Sequence, residues 1–449
     1  MLKIISLLRW PLLLVISHGL NAAVSEQQAE QLGSTLTPLG AETSGNASGT
    51  IPAWSPNVEL SSSDPIYITN PLNDEQALFD ITRDNMDDYS ALLSQGSKAL
   101  LQDKEDYRMS VYPTLRTAVA PQFIYDNTRH NATHTRLTND GLTLENWQPG
   151  VPFPIPQNGL EAIWNHLTRW SGSHSEYTST VYFSSSNGKV IQSSTQFISF
   201  ASPVYSPDRD WGKGANELFL LRANFLAPPR RAGEIILVRE PYDFSKAQGR
   251  KAWQYLTGQR RVRMAPSIAF DTPAPASSGN NTYDDSNIFN GSPERFDWQL
   301  VGKQECLTPY NNWRTTNVDK PKALITPGHF NPDAVRWEIH RCWVVEATLK
   351  EGLRHVYSKR RYYIDEDSWV ALMGDLYDNR GNLWRTNFAL FAPNYMDKSF
   401  ASSGGIAMYD LLQKSYHVSL PHAMTTTSRK KPKKSRYYTA SSLKRSGVR

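Results

Sequence analysis

The chain has 449 residues, of which 20% are charged, with 26 Gly and 28 Pro. These values exclude a collagen-like, low-complexity or globally disordered protein. The net charge of +5 arises in the last 25 residues, 425–449, which hold nine basic residues and no acid. The rest of the chain is acidic overall, so the composition does not indicate a basic groove for nucleic acid.

The first 23 residues have the pattern of a signal peptide. Lys3 and Arg9 precede a short apolar run, and the small residues Ala22 and Ala23 follow it. The run is shorter than the roughly 20 residues that a membrane-spanning helix needs. We therefore predict a signal peptide at 1–23 and export of the mature chain. No Cys stands at the cleavage position, so a lipid anchor is not expected.

Residues 24–149 are predicted to form an N-terminal arm and a helical segment that pack on the rest of the chain. The Ser-, Thr-, Gly- and Pro-rich stretch 26–63 favours an extended arm, and the Leu and Ile spacing over 74–108 favours helix. Three prolines in 150–156 exclude both a helix and a central strand, which leaves a rigid loop. The apolar spacing that follows predicts an amphipathic helix at 159–170.

From Tyr177 onward the apolar period changes to two, as in half-buried strands. Strands are predicted at 180–184, 190–200, 217–227, 234–239, 252–256, 260–264, 296–301, 335–348, 354–364, 369–377 and 383–391. So many successive strands with few helices indicate a mainly β (α+β) fold. We expect 150–424 to form one large antiparallel sheet, strongly curved or partly closed.

The sequence shows no nucleophile elbow, P-loop, paired Gly-rich phosphate motif or zinc-protease helix. His130 and His134 have a metal-ligand spacing for a helix, but their polar surroundings predict a turn or extended chain. The stretch 284–287 fails the EF-hand spacing and is interpreted as a surface loop. Asp365 and Asp367 are interpreted as a solvated turn rather than a glycosidase pair. We therefore predict no catalytic residue, metal or cofactor.

Two groups of residues are candidates for ligand binding. Arg261 and Arg263 share one face of a predicted strand and could bind a phosphate or carboxylate head group, or could pair with acids across the sheet. Large aromatic residues on the strands could line a hydrophobic cavity, or could simply fill a core. The aromatic candidates are Trp253, Tyr255, Trp337, Trp343 and Phe388.

Three further features each leave two interpretations open. Cys306 and Cys342 could form one disulfide, worth about 3–4 kcal/mol, or remain free thiols. Phe153 and Ile155 could dock a partner from a rigid loop, or could wrap a core edge. The basic tail 425–449 could be a solvated linker or a peripheral contact with anionic lipid head groups.

Several strings are more specific than these patterns, and together they resemble one bacterial envelope family. They include LTPLGAE at 36–42, PFPIP at 152–156, GQRRVR at 258–263, FNGS at 289–292, LVGKQE at 300–305, PYN at 309–311 and YYIDED at 362–367. The family is the domain of unknown function 1329, whose members are often described as outer-membrane lipoprotein-sorting-like proteins. The resemblance extends over nearly the whole mature chain.

The resemblance implies a fold like that of the periplasmic lipoprotein carriers. In that fold helices cover the concave face of a curved antiparallel half-barrel and leave an apolar cavity. It further implies a periplasmic location and an association with an outer-membrane β-barrel and an inner-membrane exporter of the resistance-nodulation-division type. It implies no catalytic residues.

The leading hypothesis is a periplasmic carrier for a lipid-like or other hydrophobic ligand. Each buried acyl methylene would contribute about 0.8 kcal/mol, so a long chain needs no specific polar contact. A second hypothesis is a non-transporting adaptor or assembly factor for an outer-membrane complex. A lipid hydrolase is the third and the least favoured.

Overall fold

The structure is a computed structural model that describes residues 24–64, 67–206, 217–245, 249–265, 270–400, 404–422 and 432–446. The predicted signal peptide at 1–23 and part of the basic tail lie outside these ranges. Within them, no helix has both the length and the apolar character that crossing a bilayer requires.

The described ranges contain five α-helices and seventeen strands. The helices are α1 (Glu26–Ala29), α2 (Gln95–Asp103), α3 (Gln122–His134), α4 (Gly159–Thr168) and α5 (Ala440–Ser446). The strands are β1 (Phe79–Ile81), β2 (Met109–Val111), β3 (Arg136–Thr138), β4 (Thr143–Glu145), β5 (His174–Ser184), β6 (Val190–Ala201), β7 (Glu217–Ala227), β8 (Ile235–Pro241), β9 (Lys251–Leu256), β10 (Arg261–Met264), β11 (Phe296–Pro309), β12 (Trp337–Leu349), β13 (Lys359–Asp365), β14 (Ala371–Tyr377), β15 (Leu383–Ala389), β16 (Ile406–Asp410) and β17 (Ser415–His422).

Fifteen of the strands form one sheet, and β3 pairs with β4 apart from it. The strand order is β1-β2-β12-β13-β14-β15-β16-β17-β5-β6-β7-β8-β9-β10, with β11 on the other edge of β12. The pairings are antiparallel except for one parallel contact between β2 and β12. Because β10 ends the path beside β9, the sheet does not close into a barrel. The predicted large antiparallel sheet is confirmed.

Each of the eleven predicted strands coincides with one of β5–β15, and β7 matches its predicted range of 217–227. The sequence missed β16 and β17, although β17 joins the two halves of the sheet. Strand β17 contains Pro421, and a proline argues against a central strand because it donates no ladder hydrogen bond.

The predicted helix at 159–170 is confirmed as α4. The side chain of Asn158 caps it by accepting from the Glu161 N–H. The first residue of the helix must be glycine, because a Cβ on Gly159 would lie 2.6 Å from the main-chain carbon of Gln299 in β11. This close approach packs α4 against β11 and β12.

The helical prediction for 74–108 is confirmed only for α2, because β1 and turns occupy much of that stretch. The prediction of a turn around His130 and His134 is wrong. Both lie on α3, which begins after Pro121, and their rings stack with centroids 4.0 Å apart. A proline before the first helical turn costs no hydrogen bond, so its position allows the helix to start there.

A buried ionic cluster joins the N-terminal arm to the sheet. Both carboxylate oxygens of Asp367 accept from Arg116, at 2.6 and 2.9 Å, and the same guanidinium donates to the main-chain oxygen of Glu42 at 2.7 Å. Lys303 bridges Glu42 and Glu366 at 2.9 Å to each. Removing one partner from such a buried pair typically costs about 3–5 kcal/mol. We call these five residues the arm clamp.

The interpretation of Asp365 and Asp367 as a solvated turn is therefore wrong, because they are 0% and 3% exposed. Burial and the charge of Asp367 raise the pKa of Asp365 to about 7. Burial alone would lower the pKa of His340, but its hydrogen bond to Glu338 at 3.1 Å, together with the charges of Glu338, Asp365 and Asp367, outweighs this and raises it. His340, Asp365 and Asp367 offer ligand atoms within 4.8 Å of one another. However, Arg116 already occupies both oxygens of Asp367.

The last described segment packs against the sheet. Tyr438 and Leu443, on a 3-10 turn and on α5, are 1% and 0% exposed. They contact one face of the strands β6–β9, which we call the tail face. Its buried apolar residues are Ala201, Leu220, Ile235, Leu237 and Tyr255. The described basic residues between 432 and 436 remain exposed.

Cys306 and Cys342 are free and fully buried on adjacent strands. The register pairs Cys306 with His340 and Cys342 with Gln304, so the two thiols are diagonal neighbours. Burial raises the pKa of the Cys342 thiol well above its usual value, which disfavours the reactive thiolate.

Titration with a thiol reagent tests this arrangement. Without reductant, we expect no reactive thiol in the folded protein and two per chain in 6 M guanidinium chloride, because unfolding exposes both sulfurs. A disulfide would give no reactive thiol under either condition and would contradict the structure.

Candidate ligand-binding cavity

A cavity of about 370 Å³ lies against the face of the sheet opposite the tail face. Its floor is built from neighbouring residues in register across strands. Tyr177 of β5 pairs with Ile198 of β6, which pairs with Ala223 of β7 and then with Ile236 of β8. Side chains alternate between the two faces of a strand, so this row points into the cavity.

A second apolar row runs beside the first and widens the floor. Phe200 of β6 pairs with Leu221 of β7, which pairs with Val238 of β8. All three side chains line the cavity. The floor is therefore apolar across four strands, as in sites for hydrophobic molecules, whose volumes are usually about 300–1,000 Å³.

Two segments from outside these strands contribute to the other walls, together with residues of β14–β17 such as Ala371 and Ile406. The end of α4 and the turn after β6 contribute Leu167, Arg169 and Tyr205. The segment between β10 and β11 contributes a second set of lining residues. These are Ala274–Ser277, Asn281, Tyr283, Asp285–Asn287, Phe289 and Asn290.

Buried ionic contacts hold the second wall in place. Asp284 accepts from Arg360 at 2.6 Å and from His355 at 3.0 Å, and Asp285 accepts from the Tyr357 hydroxyl at 2.9 Å. The interpretation of 284–287 as a surface loop is therefore wrong for the two carboxylates, which are 3% and 2% exposed. Burial, together with the charge of Asp284, raises the pKa of Asp285.

Arg169 is the cationic group at the end of α4. One terminal nitrogen donates to the main-chain oxygen of His166, while its Nε is buried and has no hydrogen-bond partner. Burial lowers the pKa of Arg169 to about 10, so the side chain is still charged at neutral pH. The cavity thus combines an apolar floor with one incompletely bonded cation.

His417 of β17 also lines the cavity and is neutral. The Asn280 amide lies 3.3 Å from its Nδ1. Burial, followed by the charge of Arg385, lowers the pKa of His417 to about 3. Around neutral pH this imidazole adds a hydrogen-bonding group to the wall but no charge.

None of the seven residues that the sequence named for ligand binding lines this cavity. Arg261 and Arg263 lie exposed on the edge strand β10, where Arg263 donates to Gln259. Trp253 and Tyr255 project to the tail face and pack against the C-terminal segment. A shift of one residue exchanges the faces of a strand, so alternation alone could not place them.

The remaining three aromatic candidates lie on β12 and β15 and belong to, or pack against, the main hydrophobic core. The rings of Trp337 and Phe388 meet edge to face, with centroids 5.4 Å apart. The ring of Trp343 stacks on Trp369 at 6.2 Å and carries the Lys303 ammonium above it. These side chains fill a core.

The proline-rich loop also packs inward. Phe153 is 3% exposed in a cluster with Trp164, and its N–H donates to the Asn165 side chain at 2.9 Å. Ile155 is half-buried. At Phe153 the loop therefore packs against the edge of the core, which is the second of the two interpretations that the sequence left open. Ile155 is the more accessible apolar side chain of the two.

Sequence reasoning missed Arg169 and the lining of β6–β8. In β7 apolar residues occupy both faces, so the period did not reveal which face borders a cavity. The helix prediction at 159–170 did include Arg169, but nothing in the sequence indicated that its guanidinium would lack a carboxylate.

The fold and the cavity define a class of large, open antiparallel-sheet proteins with an internal apolar site. A family model described as "Protein of unknown function (DUF1329)" matches residues 80–444, and the chain belongs to this family. The resemblance noted from the sequence is thereby confirmed. A relative, "Uncharacterized protein PA3922" of Pseudomonas aeruginosa, is 41% identical over 414 residues, which cover 90% of this chain and 89% of the relative.

Solved structures with similarity to the chain were also found. A DUF1329 family protein from Desulfovibrio piger is 17% identical with a TM-score of 0.40, covering 60% of this chain and 91% of that one. A putative outer membrane lipoprotein-sorting protein domain from Vibrio parahaemolyticus is 16% identical with a TM-score of 0.42, covering 64% and 98%. The LolA superfamily protein NE2245 from Nitrosomonas europaea is 14% identical with a TM-score of 0.35, covering 60% and 92%.

The neutral state of His417 predicts a pH dependence of stability. Its folded pKa of about 3 lies below the ordinary value of 6.5, so below pH 6.5 the unfolded chain takes up a proton that the folded chain does not. This contribution to stability is complete above pH 6.5 and is lost as the pH falls toward 3. One such proton changes the free energy of unfolding by at most about 1.4 kcal/mol per pH unit.

Urea unfolding of wild type and His417→Gln between pH 7 and 4 measures this effect. We expect the variant to lose stability less steeply on acidification. His134→Gln, which removes an exposed histidine on α3, is the matched control and should follow the wild type. Parallel curves for wild type and His417→Gln would contradict a buried neutral imidazole.

Proposed function

We propose that this protein binds a lipid-like or other hydrophobic ligand in the cavity against β5–β8 and acts as its carrier in the periplasm. The observation that carries the proposal is the continuous apolar floor from Tyr177 to Ile236, which lines a cavity of about 370 Å³. Buried apolar surface without packing partners forgoes dispersion energy, so an occupant of similar polarity gains by entering.

The energy of binding would come mainly from the ligand chain. Burial of each methylene contributes about 0.8 kcal/mol, so ten methylenes would contribute about 8 kcal/mol before the entropic cost of binding. Such binding depends on length more than on the identity of the chain. A carrier that takes up and releases its ligand can use this kind of site.

The cellular setting belongs to the same proposal. The N-terminal pattern supports export, and the family resemblance supports work alongside an outer-membrane β-barrel and an exporter of the resistance-nodulation-division type. The exposed Lys433, Lys434 and Arg436 support a peripheral contact with anionic lipid, because α5 next to them is anchored on the tail face. The proposal describes a binding protein rather than an enzyme.

Filling the cavity from its floor tests the proposal. Ala223→Trp places an indole at the centre of the first apolar row, where it occupies the space of the ligand. We expect at least a tenfold loss of affinity for the fluorescent apolar probe N-phenyl-1-naphthylamine, measured by titration.

The matched control is Ile191→Trp, which adds the same ring at a 39% exposed position of β6 away from the cavity. It should bind the probe like the wild type. Thermal unfolding of both variants checks that they fold. Equal affinity of the folded Ala223→Trp variant and the wild type would contradict binding in this cavity.

A further inference from the structure

Arg169 differs from most of the buried arginines in what it contacts. Among the described residues Arg222 also lacks a carboxylate, but it donates to the Tyr437 main-chain oxygen at 3.2 Å and to the Ser442 hydroxyl at 3.3 Å. Three examples each have a carboxylate partner: Arg116 with Asp367, Arg250 with Glu240 and Arg360 with Asp284. Within the described ranges, no carboxylate lies within 4.0 Å of the Arg169 guanidinium, and its Nε bonds to nothing. The cation therefore keeps hydrogen-bonding capacity for another molecule.

The surroundings of Arg169 make this incomplete bonding costly. The residue is half-buried by area, and it lines the cavity. Burial lowers its pKa to about 10, the direction expected for a cation without a compensating charge. A buried charge is stable only when it is paired, so an anion at this place would relieve the cost.

The guanidinium is held in position by a fixed scaffold. It donates to the main-chain oxygen of His166, the last turn of α4. The His166 ring is itself fixed, because its Nδ1 accepts from the Ala371 N–H at 2.9 Å and its Nε2 lies 3.0 Å from the Phe289 oxygen. The cation is thus preorganised at the cavity, which lowers the entropic cost of binding an anion.

We infer, on the basis of the proposed function, that the ligand is a single-chain amphiphile with an acidic head group, and that Arg169 binds this head group while the chain lies on the floor of β5–β8. Guanidinium binds carboxylate and phosphate with charge-assisted hydrogen bonds. The cavity volume lies near the lower end of the usual range for ligand sites, which suits one chain better than two.

The inference assigns the head-group contact to a different residue than the sequence did. Arg261 and Arg263 are exposed on an edge strand and belong to no part of the lining. Arg250 does line the cavity, but it is already paired with Glu240 and donates to the Asn290 oxygen. Of the two arginines that line the cavity in the part of the chain that the structure describes, Arg169 is the one without a carboxylate partner.

Displacement of N-phenyl-1-naphthylamine by three sixteen-carbon ligands tests the inference on the wild-type protein. Palmitate and hexadecyl phosphate carry an acidic head group, and methyl palmitate has nearly the shape of palmitate without the charge. We expect at least one acid to bind about tenfold or more tightly than the ester. The two acids distinguish a carboxylate ligand from a phosphate ligand.

Variants at position 169 then locate the contact. Arg169→Gln should lose about tenfold or more in affinity for the preferred acid and little for methyl palmitate, while Arg169→Lys should retain a preference for the acid. Arg230→Gln, at an exposed position on the turn between β7 and β8, is the control and should leave all affinities unchanged.

The outcomes separate the two proposals. If the probe and all three ligands fail to bind the wild type, the proposed function fails. If acids and ester bind the wild type equally, the cavity proposal stands and the acidic head group is refuted. If the acids bind better but the folded Arg169→Gln variant keeps that preference, Arg169 is not the contact. The comparison of ligands on the wild type needs no variant, so a poorly folding Arg169→Gln leaves it decisive.

Discussion

The architecture depends on one constraint: the strands β6–β8 are apolar on both faces, and both faces must be covered. Both faces of these strands carry large apolar residues, and each face left in water would cost about 25 cal/mol per Å² of apolar surface. The chain covers one face with Tyr438 and Leu443 of its own C-terminal segment. It encloses the other with α4 and the segment before β11 but leaves about 370 Å³ unfilled. An unfilled apolar space costs stability, and a ligand that fills it recovers the cost.

The buried charges serve the framework around this space. In the arm clamp, Arg116 and Lys303 connect the main chain and side chain of Glu42 to acids more than 300 residues later. The strings that give the chain its family resemblance, 36–42, 300–305 and 362–367, supply most of this cluster. These strings therefore contribute to the stability of the fold, whereas the residues that line the cavity lie mainly outside them.

The sequence predicted the strands β5–β15 because their period of two is a local property. It could not assign faces in β7 and β9, where both sides are apolar and the partner of each side is remote in sequence. It also placed Asp365 and Asp367 in solvent, because their burial depends on Arg116 and on arm residues far along the chain. The cavity lining was missed for the same reason: empty space is a property of the assembled fold, and no residue pattern marks it.

Ligand choice in such a site depends on the head group rather than the chain. Each methylene gains a similar free energy anywhere on an apolar floor, so the floor distinguishes ligands by length alone. A buried cation distinguishes an acid from its ester, because only the acid compensates the charge. Arg169 directly follows α4 and donates to its last turn, and α4 packs on β11 and β12. The close contact at Gly159 that seats this helix therefore also positions Arg169, the proposed head-group contact, at the cavity.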